Sequence, residues 1–160
     1  MSWLLLSSVA LFRFGFSHYG EFDPQQQWSA AAPQVTLAAL QIQDATGWQL
    51  VHVLDSQCGC SRLAQQHVAT LSQQLQLSSS QQHYRSATEL AAAGFRLPAI
   101  PAVLVFEHGI LRYAGPYASG PLCSASNSFL PALLSGQSRL PGSWLNGEAM
   151  ACRCLVSPAS

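Results

Sequence analysis

Residues 50–63, LVHVLDSQCGCSRL, pass from an apolar, β-branched run through two cysteines one residue apart into a stretch with helical spacing. The run from Trp48 to Asp55 has the length and composition of a buried central strand. Beyond the cysteines, Ala64, Val68, Leu71 and Leu75 recur at i, i+4, i+7 and i+11, which predicts a helix with one buried face over about 61–77 that Ser61 would cap. A thiol at the start of a helix faces backbone N–H groups without partners and the positive end of the macrodipole, and both favour thiolate. Cys58 or Cys60 is therefore expected to be reactive at neutral pH. Three uses of the pair stay open: a redox couple, half of a thiolate metal site, or two structural thiols.

Working outward, QVTLAALQIQ (34–43) predicts a first strand and DATG a turn. Downstream, QHYRSA (82–87) reads as a short strand and TELAAAGF (88–95) as a helix with Thr88 as N-cap and Gly94 as terminator. Residues 102–114 read as an antiparallel hairpin, with strands Ala102 to Phe106 and Ile110 to Ala114 around a turn at Glu107-His108-Gly109. A last helix is expected over Ser124 to Leu134, before a tail broken by Gly and Pro that ends in NGEAMACRCLV (146–156).

Composition sets the limits. The chain has 160 residues, 49% hydrophobic and 9% charged, with a formal net charge of zero, so it is a folded domain rather than a disordered one. Its seven basic residues form no cluster, which argues against a nucleic-acid partner. Five cysteines are present, four of them in two Cys-x-Cys pairs, so disulfide formation would leave one thiol over. The N-terminal MSWLLLSSVALFRFGF (1–16) suits a membrane anchor or signal segment, yet Arg13 interrupts its apolar run well short of the roughly 20 residues that a spanning helix needs. An uncleaved signal, a buried N-terminal helix and a cleaved signal all remain open. Residues 17–33 read as a linker and 34–160 as the domain, with a cysteine-bearing C-terminal extension.

Strand, cysteine loop, helix, strand, helix, an Ile-Pro-led hairpin and a final helix follow one another, and in this order the chain resembles the thioredoxin superfamily. The resemblance is carried by LVHVLDSQCGCSRL and by AIPAVLVFEHGILRYAGPYASG (99–120), and it spans about 48–135. It implies an α/β fold, a thioredoxin-like three-layer sandwich with a central mixed sheet, preceded here by an N-terminal apolar helix. It also implies thiol-disulfide exchange with the thiols or disulfides of protein partners, with Cys58 as nucleophile and Cys60 as resolver and no dissociable cofactor. Ile100 would hydrogen-bond a bound peptide and Pro101 would be cis, although Pro98 competes for that assignment. An inner-membrane-anchored or periplasmic site would follow, an oxidising setting in which paired cysteines persist.

This chain departs from the family in having one residue, not two, between its cysteines; in an ungapped frame Ser61 takes the resolver position. The implied topology brings Cys123 to the rim of the cysteine loop. The tail pair Cys152 and Cys154 would then either bond Cys123 as a structural tie or approach Cys58 and Cys60 as a relay. A thiolate Zn or Cu carrier or assembly chaperone is the alternative function, and a redox-inactive peptide-binding scaffold a third. No histidine is expected to join a metal: His52 lies within a strand, His83 and His108 lie far from the cysteine loop, and His67 should face solvent. Asp55 is expected to solvate the loop.

Overall fold

The structure, a computed structural model, describes residues 2–30 and 33–157, with side chains excepted at 2, 13–16 and 30. In chain order its elements are α1 (Ser2–Phe16), β1 (Tyr19–Glu21), α2 (Gln27–Ala30), β2 (Trp48–Val53), α3 (Gly59–Gln74), β3 (Gln82–Tyr84) and α4 (Ala87–Ala92). There follow β4 (Ala99–Ile100), β5 (Ala102–Glu107), β6 (Ile110–Gly115), α5 (Leu130–Leu134), β7 (Trp144–Leu145), β8 (Met150–Cys152) and β9 (Cys154–Leu155). The architecture is mixed α/β around a five-stranded sheet of order β3-β2-β5-β6-β7. The outer pairs β2/β3 and β6/β7 are parallel, while β2/β5 and β5/β6 are antiparallel.

Period-2 alternation divides the core into two layers. Val51, Val53, Leu104 and Phe106 face one side with Leu90 of α4 and Trp28 of α2. Leu50, Val103, Val105 and Tyr113 face the other, against Ala64, Val68 and Leu71 of α3 and Leu130 and Leu133 of α5. Helices thus cover both faces. The hairpin turns through His108 and Gly109, both at positive φ (49° and 79°). A Ser86–Glu89 capping box starts α4, two residues earlier than the expected cap at Thr88.

Further expectations are corrected: the last helix begins at Leu130 rather than Ser124, after a 3-10 turn at Ala125–Asn127. Residues 34–43 form no strand: Val35, Leu37, Leu40 and Ile42 are buried, but Leu37 and Leu40 come together through a 3-10 turn at Ala38–Leu40. The described part of the stretch read as a linker is built into the domain. β1 pairs antiparallel with β8 through Tyr19↔Cys152, Gly20↔Ala151 and Glu21↔Met150. The buried Asp23 carboxylate accepts hydrogen bonds from the backbone N–H groups of Gln27 and Trp28 at 3.0 and 2.8 Å, which starts α2. Trp28 then lies 5.7 Å from Phe22 and 5.9 Å from Phe95, ring to ring, and its indole N–H donates to the Arg96 carbonyl.

The apolar N-terminal helix is present as α1, with Trp3, Leu4, Leu5 and Leu6 exposed. Its 15 residues rise about 22 Å, short of the roughly 30 Å hydrocarbon core. Among the described residues no helix is long and apolar enough to cross a membrane. Phe22 is wholly buried, so Phe22→Ala should lower the unfolding free energy by about 3–5 kcal/mol in denaturant titration. A linker side chain would change it by no more than about 0.5 kcal/mol.

Candidate functional site

β2 delivers the chain to the cysteine loop. Asp55 organises that loop: its carboxylate accepts from the Gln57 N–H at 2.8 Å, its carbonyl accepts from the Cys58 N–H at 3.0 Å, and its own N–H donates to the Ser61 hydroxyl at 3.0 Å. Ser61 therefore braces the loop rather than capping the helix. Cys58 is the N-cap residue of α3, and its side chain makes no capping hydrogen bond. Gly59 opens the helix and Cys60 follows it, so both sulfurs sit in the first turn, where the unpaired N–H groups and the dipole favour thiolate.

On the other side of the site runs the loop from β4 into β5. The Ile100–Pro101 peptide bond is cis, and the Ile100 carbonyl oxygen lies 3.8 Å from the Cys58 sulfur. β9 lies antiparallel along β4, with Ala99 opposite Leu155 and Ile100 opposite Cys154. The Val156 N–H donates to the Pro98 carbonyl at 2.9 Å and extends this pairing. Pro98 thus accepts one hydrogen bond from the tail, while Pro101 carries the cis bond.

The sulfurs do not pair within their motifs. Cys58 is bonded to Cys154 and Cys60 to Cys152, with Cα–Cα separations of 6.1 and 5.6 Å, inside the usual disulfide range. The expected Cys58–Cys60 couple is therefore replaced by two bonds that tie the first turn of α3 to the tail. Cys58 and Cys60 are buried, whereas Cys152 and Cys154 are half-buried. The Cys154 sulfur also lies 3.9 Å from Nδ1 of the exposed His18. Between the two tail cysteines, the Arg153 N–H donates to the His18 carbonyl and its guanidinium Nε donates to the Glu21 carbonyl. The sulfurs of Cys58, Cys60 and Cys154 all lie within 4.8 Å of one another, close enough to hold a soft metal ion if both disulfides were reduced.

Cys123 stands apart. It is buried in the opposite core layer, and the tail is not bonded to it. Its sulfur is 3.7 Å from Nδ1 of His67, which also lies 2.9 Å from the Cys123 carbonyl oxygen. Nε2 of His67 is 3.0 Å from the Ser128 hydroxyl. His67 is thus buried, not solvent-facing. Its place three residues after Ala64 and four before Leu71 is a spacing that could have revealed it. His52 is buried too, with Nδ1 2.8 Å from the Tyr117 hydroxyl.

Burial pushes the Cys123 thiol up to about 11, which leaves it a poor nucleophile. The oxidised native protein should therefore show no rapidly reacting thiol in maleimide titration, and one thiol per chain in denaturant. Rapid native labelling would break the assignment of the free thiol. Burial also lowers His67 and pushes His52 down to about 4. The unfolded chain, titrating near 6.5, then binds more protons than the folded one between about pH 6.5 and 4, and stability falls as pH drops through that window. Denaturant midpoints measured across it should show a loss of about 3 kcal/mol from His52, flattened in His52→Gln.

No curated protein and no solved structure matches the chain. A family model described as Domain of unknown function (DUF6436) matches residues 25–156. That span takes in α2, both Cys-x-Cys motifs, β9 and the Val156 that follows it beside Pro98. On this match the chain belongs to the DUF6436 family.

Proposed function

We propose that this is a thiol-disulfide oxidoreductase on a thioredoxin-like fold, acting on the thiols or disulfides of protein partners. The observation that carries this reading is the Cys58–Cys154 bond. A sulfur at a helix N-cap is joined to a cysteine of an extended segment lying antiparallel beside the residue that precedes the cis proline. That is the arrangement expected of a mixed disulfide with a bound peptide, formed here within one chain. The sheet order β3-β2-β5-β6, with α3 and α5 on one face and α4 on the other, supports the fold part of the reading.

In the exchange step the Cys58 thiolate attacks a sulfur of the partner's disulfide, forming a mixed disulfide and expelling the partner's other sulfur as thiolate. The Cys60 thiolate then attacks the Cys58 sulfur. A Cys58–Cys60 bond forms, and the partner leaves with its second thiol. Run in reverse, the same steps oxidise a partner dithiol, so the partner's potential sets the direction. The paired cysteines suit an oxidising, periplasm-like compartment. The exposed apolar side chains of α1 support attachment to a membrane surface.

A second reading, a Zn or Cu carrier, draws on the clustered sulfurs of Cys58, Cys60 and Cys154. It requires four electrons to open both disulfides before any ion binds. The two readings separate in one comparison on reduced protein. Cys58→Ser should lose all insulin-disulfide exchange above the uncatalysed rate, and Cys154→Ser should retain it. One metal ion per anaerobically prepared chain, with exchange at background in the unmutated protein, would transfer the assignment to the carrier.

A further inference from the structure

The tail occupies the edge of β4 that a protein substrate needs, and it is fastened there twice. Resting on the exchange reading of Cys58, we propose that β9 is a latch over the site and that a single two-electron reduction undoes both fastenings in series, leaving a Cys58–Cys60 disulfide beside an open β4 edge.

Entry is at a tail sulfur, since Cys152 and Cys154 are half-buried while Cys58 and Cys60 are buried; of the two, Cys154 is the one bonded to the sulfur at the α3 N-cap. One thiolate of a partner dithiol attacks the Cys154 sulfur and the Cys58–Cys154 bond breaks. Cys58 departs as thiolate, a charge that the N–H groups at the start of α3 favour. The partner's second thiol then attacks the partner's own sulfur in the mixed disulfide. The partner leaves as a disulfide, and Cys154 takes a proton. The freed Cys58 thiolate lies within 4.8 Å of the Cys60 sulfur and attacks it. The Cys58–Cys60 bond forms, the Cys60–Cys152 bond breaks, and Cys152 departs as thiolate and takes the second proton. The partner has lost two electrons and two protons, and the protein holds one disulfide and two tail thiols where it held two disulfides.

That last exchange is intramolecular, between sulfurs already within 4.8 Å of one another, so it needs no second encounter with the partner. Once both bonds are gone, β9 keeps, among the described residues, two register pairs with β4, the Val156–Pro98 hydrogen bond, the Cys154–His18 contact and the packing of Cys154 and Val156 at the edge of the core. So short a strand does not persist alone. β8 stays seated on its three pairs with β1 and on the Gly120 backbone, which exchanges hydrogen bonds with Met150 and Cys152. The hinge therefore falls between Arg153, which His18 and Glu21 hold, and Cys154.

The test uses the oxidised full chain, one equivalent of dithiothreitol, an acid quench, alkylation in denaturant and tryptic mapping. The chain's basic residues include Arg153, where cleavage separates Cys152 from Cys154, whereas Cys58 and Cys60 share one peptide ending at Arg62. The expected map carries label on Cys123, Cys152 and Cys154 with Cys58 joined to Cys60. Amide exchange at residues 154–156 should speed up at least tenfold while that at 150–152 holds. Label on Cys58 and Cys154 with the Cys60–Cys152 bond intact overturns the latch. Insulin exchange, measured on the same samples, reads the underlying function separately: activity with that second map removes the latch and keeps the oxidoreductase. In Cys60→Ser, the same equivalent should open Cys58–Cys154 and leave Cys58 labelled; a Cys58 that stays unlabelled counts against entry at Cys154.

Discussion

Two sulfur–sulfur bonds between the first turn of α3 and the tail strand hold the C-terminal segment to the body of the domain, and the site exists only where they cross. Closing a loop of the size spanned by Cys58 and Cys154, 96 residues apart, is worth about 4–5 kcal/mol against the unfolded chain. The Cys60–Cys152 bond, two residues inward at each end, then closes only a small additional ring and adds far less. Stability alone accounts for one bond and not for two. The second bond matters instead for chemistry, because it keeps a further sulfur within reach of the first pair.

The sheet keeps the fifth thiol out of that chemistry. Cys58 and Cys60 belong to the layer with Leu104, Phe106 and the β4 loop, whereas Cys123 belongs to the layer with Val103, Val105 and Tyr117. The Cys123–His67 contact lies within a buried network that runs through Tyr117 to His52. Burial disfavours the charged form of each group, holding the histidines neutral and the thiol protonated. A cysteine beside a histidine is here a packing element, made inert by the same low-dielectric surroundings that seat it.

Much of this was legible in the sequence wherever a residue's neighbours along the chain dictate its conformation. β2, α3 and the β5–β6 hairpin announce themselves by β-branched runs, four-residue apolar spacing and a His-Gly turn, and the cis bond falls at the proline that the family resemblance indicates. β1, β4, β7, β8 and β9 run two or three residues each, too short to display any period, and they exist because distant partners pair with them. The disulfide connectivity is hidden for the same reason. Cys154 meets Cys58 because β9 pairs with β4 in one particular register, and no local pattern encodes that register. In residues 34–43, alternation at Val35 and Leu37 imitates a strand, and the 3-10 turn that brings Leu40 inward becomes apparent only when the packing is seen.

The pairing of β1 with β8 makes the two ends of the polypeptide one structural unit. Gly20, lacking a side chain, leaves the space that the Arg153 guanidinium fills: a methyl group there would sit 2.5 Å from one of its nitrogens. A shortened fragment starting at Gln34, where composition alone would set the boundary, would discard this berth together with Phe22 and Trp28. It would retain all five cysteines and lose the β1 template that seats Cys152, so its oxidative refolding would proceed without that guide to the two native pairings.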